Sequence, residues 1–322
     1  SYDGSRKYFT FCKYLQRTYK LGNILDIKSI KKILKGRIRE NVCMKEYNTW
    51  KIGGSAQYFF EPSNLDDLKK FLENSSNIEI IFLGNGSNVL IRDGGINGCV
   101  VSLKNTLNNY TSNKNGKYIF EAGFSCMKIA QITAKDNYGG LEFLCGIPGS
   151  LGGALAMNAG CYGGNIWEYV NKVIMINKNG NLVTKNKQEF KYGYRNLELE
   201  DNNFFIGATF NLQENQLKNS LDIIKEYLKD RRSNQPTGLP SCGSVFKNPE
   251  NYHAANLIES SGLKNYKIGK AYISDKHANF IITEPSASSS DVEDLIEFIQ
   301  KTVFENKNIF LETEVKFIGI KK

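Results

Sequence analysis

Residues 139–164 read GGLEFLCGIPGSLGGALAMNAGCYGG and hold nine of the chain's 29 glycines. Each glycine inside a helix costs about 1 kcal/mol relative to alanine, so no ordinary helix is expected here. The residues between the glycines are mostly apolar, which excludes a solvated linker. Glycine-rich apolar backbone suits close packing against something flat or bulky: another stretch of backbone, or the rings of a cofactor.

The 322 residues are enough for two domains, and 41% hydrophobic with 23% charged residues is ordinary for a globular protein. No apolar run approaches the ~20 residues of a membrane span, and the start of the chain lacks a signal-peptide pattern. The seven cysteines (12, 43, 99, 126, 145, 161 and 242) never fall in CxxC spacing, which argues against a disulfide framework and a zinc site and for a reducing, cytoplasmic setting. The net charge of +9 is dispersed, as in KSIKKILKGR, so a small anionic partner is favoured over nucleic acid.

Outward from the glycine run, residues 20–46 read as helix, with Leu25, Ile27, Ile30, Ile33 and Leu34 at helical spacing. Residues 49–62 read as turn and strand, and a helix after them is capped by Ser63 or Asn64. A buried strand at 78–83 runs into Gly84-Asn-Gly-Ser-Asn88, whose backbone N–H groups suit a phosphate. This is no dinucleotide fingerprint, because Val89 stands where a third glycine is needed, and a tight hairpin explains it equally well. Strands are expected at 89–92, 99–103, 118–122, 204–210, 276–283 and 311–319, with a hairpin turning at Asn179-Gly180. Helices are expected after Ser125, at 217–230, at 254–261 and at 291–304 capped by Ser290.

Taken together, Asn48-Thr49 with Ile52-Gly-Gly54, Leu83-Gly-Asn-Gly-Ser-Asn88, Gly146-Ile-Pro-Gly149 with Met157-Asn-Ala-Gly160, Tyr192-Gly-Tyr-Arg195, Gly243-Ser-Val-Phe-Lys-Asn-Pro249 and Leu311-Glu-Thr-Glu-Val315 resemble, in order, the UDP-N-acetylenolpyruvoylglucosamine reductase (MurB) family. The resemblance runs from about Asn48 to Gly319. It implies an α+β chain: a vanillyl-alcohol-oxidase (PCMH-type) FAD-binding region in two subdomains, then a C-terminal α+β substrate domain. The implied division is a helical segment at 1–46, the FAD-binding domain at 47–213, the substrate domain at 214–310 and a closing strand at 311–322. The short interval between Arg195 and Ser244 matches the class that lacks a tyrosine-bearing lid.

The resemblance also implies noncovalent FAD, NADPH as reductant, no metal, and a UDP-sugar substrate, with neither nucleic acid nor membrane as partner and a monomer as the default. Gly84, Asn85, Gly86, Ser87 and Asn88 would hold the FAD pyrophosphate. Gly146, Ile147, Pro148, Gly149, Gly153, Asn158, Gly160 and Ile206 would complete the cofactor site. Arg195 and Glu314 would act on the substrate carboxylate, where the planar arginine fork suits bidentate contact. Ser244 would deliver a proton to C2 after hydride reaches C3, with Lys247 as a candidate neighbour. Tyr194, Lys247, Asn248, His277 and Asn279 would touch substrate, and Lys270 and Lys276 are candidates for its diphosphate. Cys161, Cys242 and His253 are read as passive. An FAD-dependent oxidase of the same fold and a basic nucleic-acid-binding protein are the competing readings.

Overall fold

The computed structural model describes residues 26–113, 115–215 and 219–322. Asp26 accepts a hydrogen bond from Ser29 N–H and starts the helix Ile27–Ile33, which ends at the extended Leu34. The helix expected over 20–46 is thus corrected beyond this point, and residues 20–25 lie outside the described part. Lys35 and Gly36 donate their N–H groups to the Asp67 carboxylate at 2.7 and 2.6 Å, a turn that reverses the chain. Arg37–Cys43 is then an edge strand, antiparallel to Ser55–Glu61. Its basic, alternating sequence suits the exposed rim of a sheet.

Ser55–Glu61, Ile96–Ser102 and Ile80–Leu83 complete this four-stranded sheet with parallel pairings. The helix Leu65–Glu73, capped by Asn64, packs Leu68, Phe71 and Leu72 into the same core as Phe60. A second, antiparallel sheet has the order Leu182–Asn186, Val170–Asn177, Asn203–Asn211, Lys117–Glu121, Tyr110–Ser112. The helix Cys126–Lys135 joins its core, which also contains Trp167 and Phe210. The helix Ser220–Asn234 contributes Ile224 to that core, so packing groups it with the glycine-rich region rather than with the residues after it.

The glycine run does contain a helix, Leu151–Met157, preceded by the 3-10 turn Glu142–Gly146. One of its glycines approaches the chain closely. Gly152 N–H donates to Ala122 O at 2.8 Å, and a Cβ on Gly152 would lie 3.1 Å from the Ala122 Cβ. Tertiary contact here outweighs the helix-propensity cost.

In the C-terminal part, helices Ala254–Ser260 and Ser289–Lys307 cover a sheet of Lys267–Ile268, Ala271–Ile273 and Ile281–Thr283. Two expected strands shrink. Residues 274–280 form a turn, with Lys276 and His277 N–H groups on Ser274 Oγ, leaving only Ile281–Thr283 as strand. At the end of the chain only Lys316–Ile318 is strand, parallel to Val89–Ile91. The last long helix is capped by Ser288, not Ser290, in a capping box with Asp291.

The two parts share a core. Trp50 is fully buried, donates Nε1–H to Ile281 O at 2.8 Å, and accepts Thr283 Oγ1 on its own carbonyl at 2.7 Å. It packs with Val245, Phe246, Ile258 and Val315. Arg92 and Glu293 add a two-point ion pair at 2.9 and 3.2 Å. Among the described residues no helix is long and apolar enough to cross a membrane. Trp50→Ala is expected to lower stability by about 3–5 kcal/mol, as large-to-small core truncations do. Denaturant unfolding of the two chains side by side checks this.

Candidate active site

The strand Ile80–Leu83 delivers the loop 84–88 to the mouth between the two parts. Gly86 sits at φ +63°, and a Cβ there would come within 2.2 Å of Tyr47 O, so only glycine fits. Among the described residues the N–H groups of Asn85, Gly86, Ser87 and Asn88 meet no protein acceptor. Asn85 Nδ2 donates to Pro148 O at 3.2 Å, which ties this loop to the turn 146–149.

Two cavities flank the joined loops. One, about 340 Å³, is lined by Gly84, Ser150, Gly152, Gly153, Phe204 and Phe205 among others. The other, about 600 Å³, includes Asn85, Ile147, Pro148, Arg231, Ser241 and Gly243 in its walls. A Cβ on Gly153 would meet nothing closer than 3.8 Å, so it leaves room in the smaller cavity, and one on Gly149 would meet nothing closer than 3.6 Å. A row of free amides between two largely apolar hollows fits a dinucleotide with an anionic middle and flat ends.

Arg195 stands at the turn of a small ribbon, Tyr192–Gly193 paired with Asn196–Leu197, at φ +51°. Its Nε donates to Glu314 Oε1 at 3.0 Å, and one of its two terminal nitrogens, Nη2, reaches Gly160 O. Burial pushes the Glu314 carboxyl up, and the Arg195 charge opposes that shift. Glu312 is separated from Glu314 by partner: it takes Lys247 Nζ at 2.6 Å. The segment bearing Ser244 lies against this stretch, with Glu314 N–H on Val245 O at 2.8 Å and a bridge between Phe246 and Thr313. Tyr194 lies under the Arg195 guanidinium, 5.2 Å from ring centre to carbon, and its hydroxyl accepts Asn248 N–H at 3.3 Å. The structure thus brings Arg195, Glu314, the Ser244 segment, Lys247, Asn248 and Tyr194 together.

Other expected site residues are committed elsewhere. Asn158 is 2% exposed, donating to Gly193 O at 2.8 Å and accepting from Trp167 N–H at 3.3 Å. It holds the Arg195 ribbon and, with Gly160, Tyr194 and Arg195, lines a third cavity of about 340 Å³. Ile206 packs into the sheet core, while Phe204 and Phe205 of the same strand line the smaller cavity. Asn279 is buried with both ends of its carboxamide on Phe246. His277 is half-buried, pushed towards its neutral form by burial, and accepts Asn279 N–H at 3.3 Å. Lys276 donates to Arg232 O at 2.5 Å, closing a helix end, and neither it nor Lys270 lines the larger cavity. His253 is exposed. Cys161 donates to Phe143 O at 3.0 Å, and burial pushes its thiol up to about 12. Cys242 is buried, 3.2 Å from Thr49 Oγ1.

Arg231 was not anticipated. It reaches Gly146 O, keeps a buried Nε without a partner, and forms part of the larger cavity's wall. Its one signal in the sequence is the Arg231-Arg232 pair closing an amphipathic helix just before Pro236.

A family model for the UDP-N-acetylenolpyruvoylglucosamine reductase C-terminal domain matches residues 235–318, and one for an FAD binding domain matches residues 56–186. The UDP-N-acetylenolpyruvoylglucosamine reductase of Clostridium novyi is 42% identical over 307 residues, covering 93% of this chain and 95% of that one. The chain belongs to the UDP-N-acetylenolpyruvoylglucosamine reductase family. The enzymes of that name from Nitrosomonas eutropha and Legionella pneumophila (strain Corby) are 40% and 43% identical, covering 89% and 88% of this chain and 90% and 93% of theirs. The crystal structure of the Thermus caldophilus MurB reductase superposes with a TM-score of 0.76 at 29% identity, over 88% of this chain and all of that one. This member of the reductase family is an FAD-dependent oxidoreductase, and its fold is the PCMH-type FAD-binding region with an α+β C-terminal part.

Replacement of Gly86 by alanine is expected to lower the flavin carried per purified chain at least about tenfold, because the loop cannot keep its amides turned to one side. Flavin absorbance against protein concentration is the check.

Proposed function

We propose that this chain reduces the enolpyruvyl group of UDP-N-acetylglucosamine enolpyruvate to UDP-N-acetylmuramate, with NADPH as reductant, in the cytoplasmic supply of peptidoglycan precursors. The observation that carries this reading is the Arg195–Glu314 pair, 3.0 Å apart, with the Ser244 segment bonded to Glu314's own backbone. When bound, FAD relays a hydride from NADPH to C3 of the enolpyruvyl group.

The remaining chemistry falls to the chain's side chains. Hydride arrival at C3 places charge on C2 and on the carboxylate beside it, as in an enolate. Arg195 holds that carboxylate and stabilises the developing charge, an effect that grows at a partly buried site. Glu314 on Nε and Gly160 O on one terminal nitrogen keep the guanidinium aimed, and the second terminal nitrogen is turned to substrate. Ser244 Oγ–H gives its proton to C2, completing the saturated product, and regains one from solvent. Tyr194, which lines the cavity beside Arg195, and Lys247 and Asn248 of the Ser244 segment contact the nucleotide sugar. Loop 84–88 and the turn 146–149 hold FAD, Gly153 leaves it room, and the substrate enters from the larger cavity.

The two half-reactions separate these roles. Ser244→Ala should leave flavin reduction by NADPH roughly unchanged and slow flavin reoxidation by the enolpyruvyl nucleotide by about 10²–10⁴-fold, the usual worth of a positioned proton donor. Arg195→Ala should slow reoxidation by at least about 10²-fold while FAD stays bound. Stopped-flow flavin absorbance measures both halves, and equal slowing of the two would count against the assignment.

A further inference from the structure

The segment carrying Ser244 belongs to no sheet. Residues 241–249 are bends and extended chain with one isolated bridge, Phe246 to Thr313. One flank is held by the closing segment: Lys247 N–H donates to Glu312 O at 2.9 Å, and Glu314 N–H to Val245 O at 2.8 Å. On the other flank Asn279 makes three bonds to the two residues after Ser244. Asn279 accepts Val245 N–H on its main-chain carbonyl at 2.9 Å and Phe246 N–H on Oδ1 at 2.9 Å, and its Nδ2 donates to Phe246 O at 2.8 Å.

In a hydrogen-bonded antiparallel pair, one residue exchanges both N–H and C=O with a single partner. The Asn279 carboxamide, with donor and acceptor on one planar group, does this for Phe246 in place of a strand. It is 4% exposed, so no water competes for either bond. Its own main chain is fixed by Asn279 N–H on His277 Nδ1 at 3.3 Å and Phe280 N–H on His277 O at 3.0 Å. A rigid turn therefore grips the two residues that follow Ser244, on the side opposite Glu314.

We propose that Asn279 is a positioning residue for proton delivery: its carboxamide clamp fixes Ser244 Oγ relative to the Arg195–Glu314 pair, and it does not touch substrate. This rests on the reading of Ser244 as proton donor. A hydroxyl that must reach a carbon within hydrogen-bond distance is sensitive to small displacements, and about 1 Å of misplacement costs roughly 10²-fold in rate. No other small side chain does the same work. Aspartate has the shape but lacks the donor, serine reaches one group of Phe246 at most, and leucine reaches neither.

The test uses the FAD-loaded enzyme, with both half-reactions followed by stopped flow in the parent chain, Asn279→Asp, Ser244→Ala and the double variant. Asn279→Asp is expected to retain flavin, to be reduced by NADPH at roughly the parent rate, and to be reoxidised by the enolpyruvyl nucleotide about 10²-fold more slowly, with little change in KM. The double variant should be no slower than Ser244→Ala alone, because the clamp acts through that hydroxyl. A raised KM with kcat preserved would make Asn279 a substrate contact and overturn the proposal, as would additive slowing in the double variant. Normal reoxidation in Asn279→Asp beside a slow Ser244→Ala sinks this inference alone. Normal reoxidation in Ser244→Ala sinks the proton-donor reading and this inference with it. Should Asn279→Asp not fold, Asn279→Ser carries the same readouts.

Discussion

The ion pair between Arg195 and Glu314 joins residues 119 positions apart, one on a ribbon beside the glycine-rich helix and one on the chain's closing segment. Both side chains are mostly removed from water, at 17% and 11% exposure. Removing one partner of such a pair costs about 3–5 kcal/mol, because the other charge is left without compensation. The pair therefore cannot be peripheral to the fold: the Asn158 contacts that hold the Arg195 ribbon and the backbone bonds between Glu314 and Val245 converge on it.

The rest of the design follows from where each part spends its backbone hydrogen bonds. Sheets and helices satisfy theirs internally, and the loop 84–88 does not. Four consecutive amides without protein partners would be a liability in a closed core, and are tolerable at a mouth where an anion can take them. Trp50 explains why the mouth keeps its shape. It enters from the first part of the chain into the core of the last, so the loop 84–88 and the Ser244 segment are anchored to one packed body.

Elements with strong local signals were legible: the Asn64-capped helix and the Asn179-Gly180 hairpin stand where pattern and turn chemistry put them, and the strand before Gly84 is found as Ile80–Leu83, though only Leu83 of it is buried. So was the meeting of Arg195 with Glu314, through ordered motifs. What the sequence concealed has a common cause. Arg37–Cys43 reads as a continuation of a lysine-rich helix because an edge strand has no apolar run of its own, and only the Asp67 carboxylate, far along the chain, turns it. Asn279 reads as a ligand contact because a polar residue inside a motif looks the same whether its amide faces a substrate or a carbonyl. Ile206 reads as cofactor wall, but it is buried in the core while Phe204, on the same face of the strand, lines the smaller cavity. In each case a tertiary partner decided, and the partner is invisible locally.

A crystal structure of the oxidised, FAD-loaded enzyme with the enolpyruvyl nucleotide bound tests the account most directly. The substrate carboxylate should lie within hydrogen-bond distance of the Arg195 guanidinium, with Ser244 Oγ about 3–3.5 Å from C2, as a near-attack arrangement requires. A carboxylate bound away from Arg195, or a Ser244 hydroxyl turned from C2 with another acid in its place, would contradict the account.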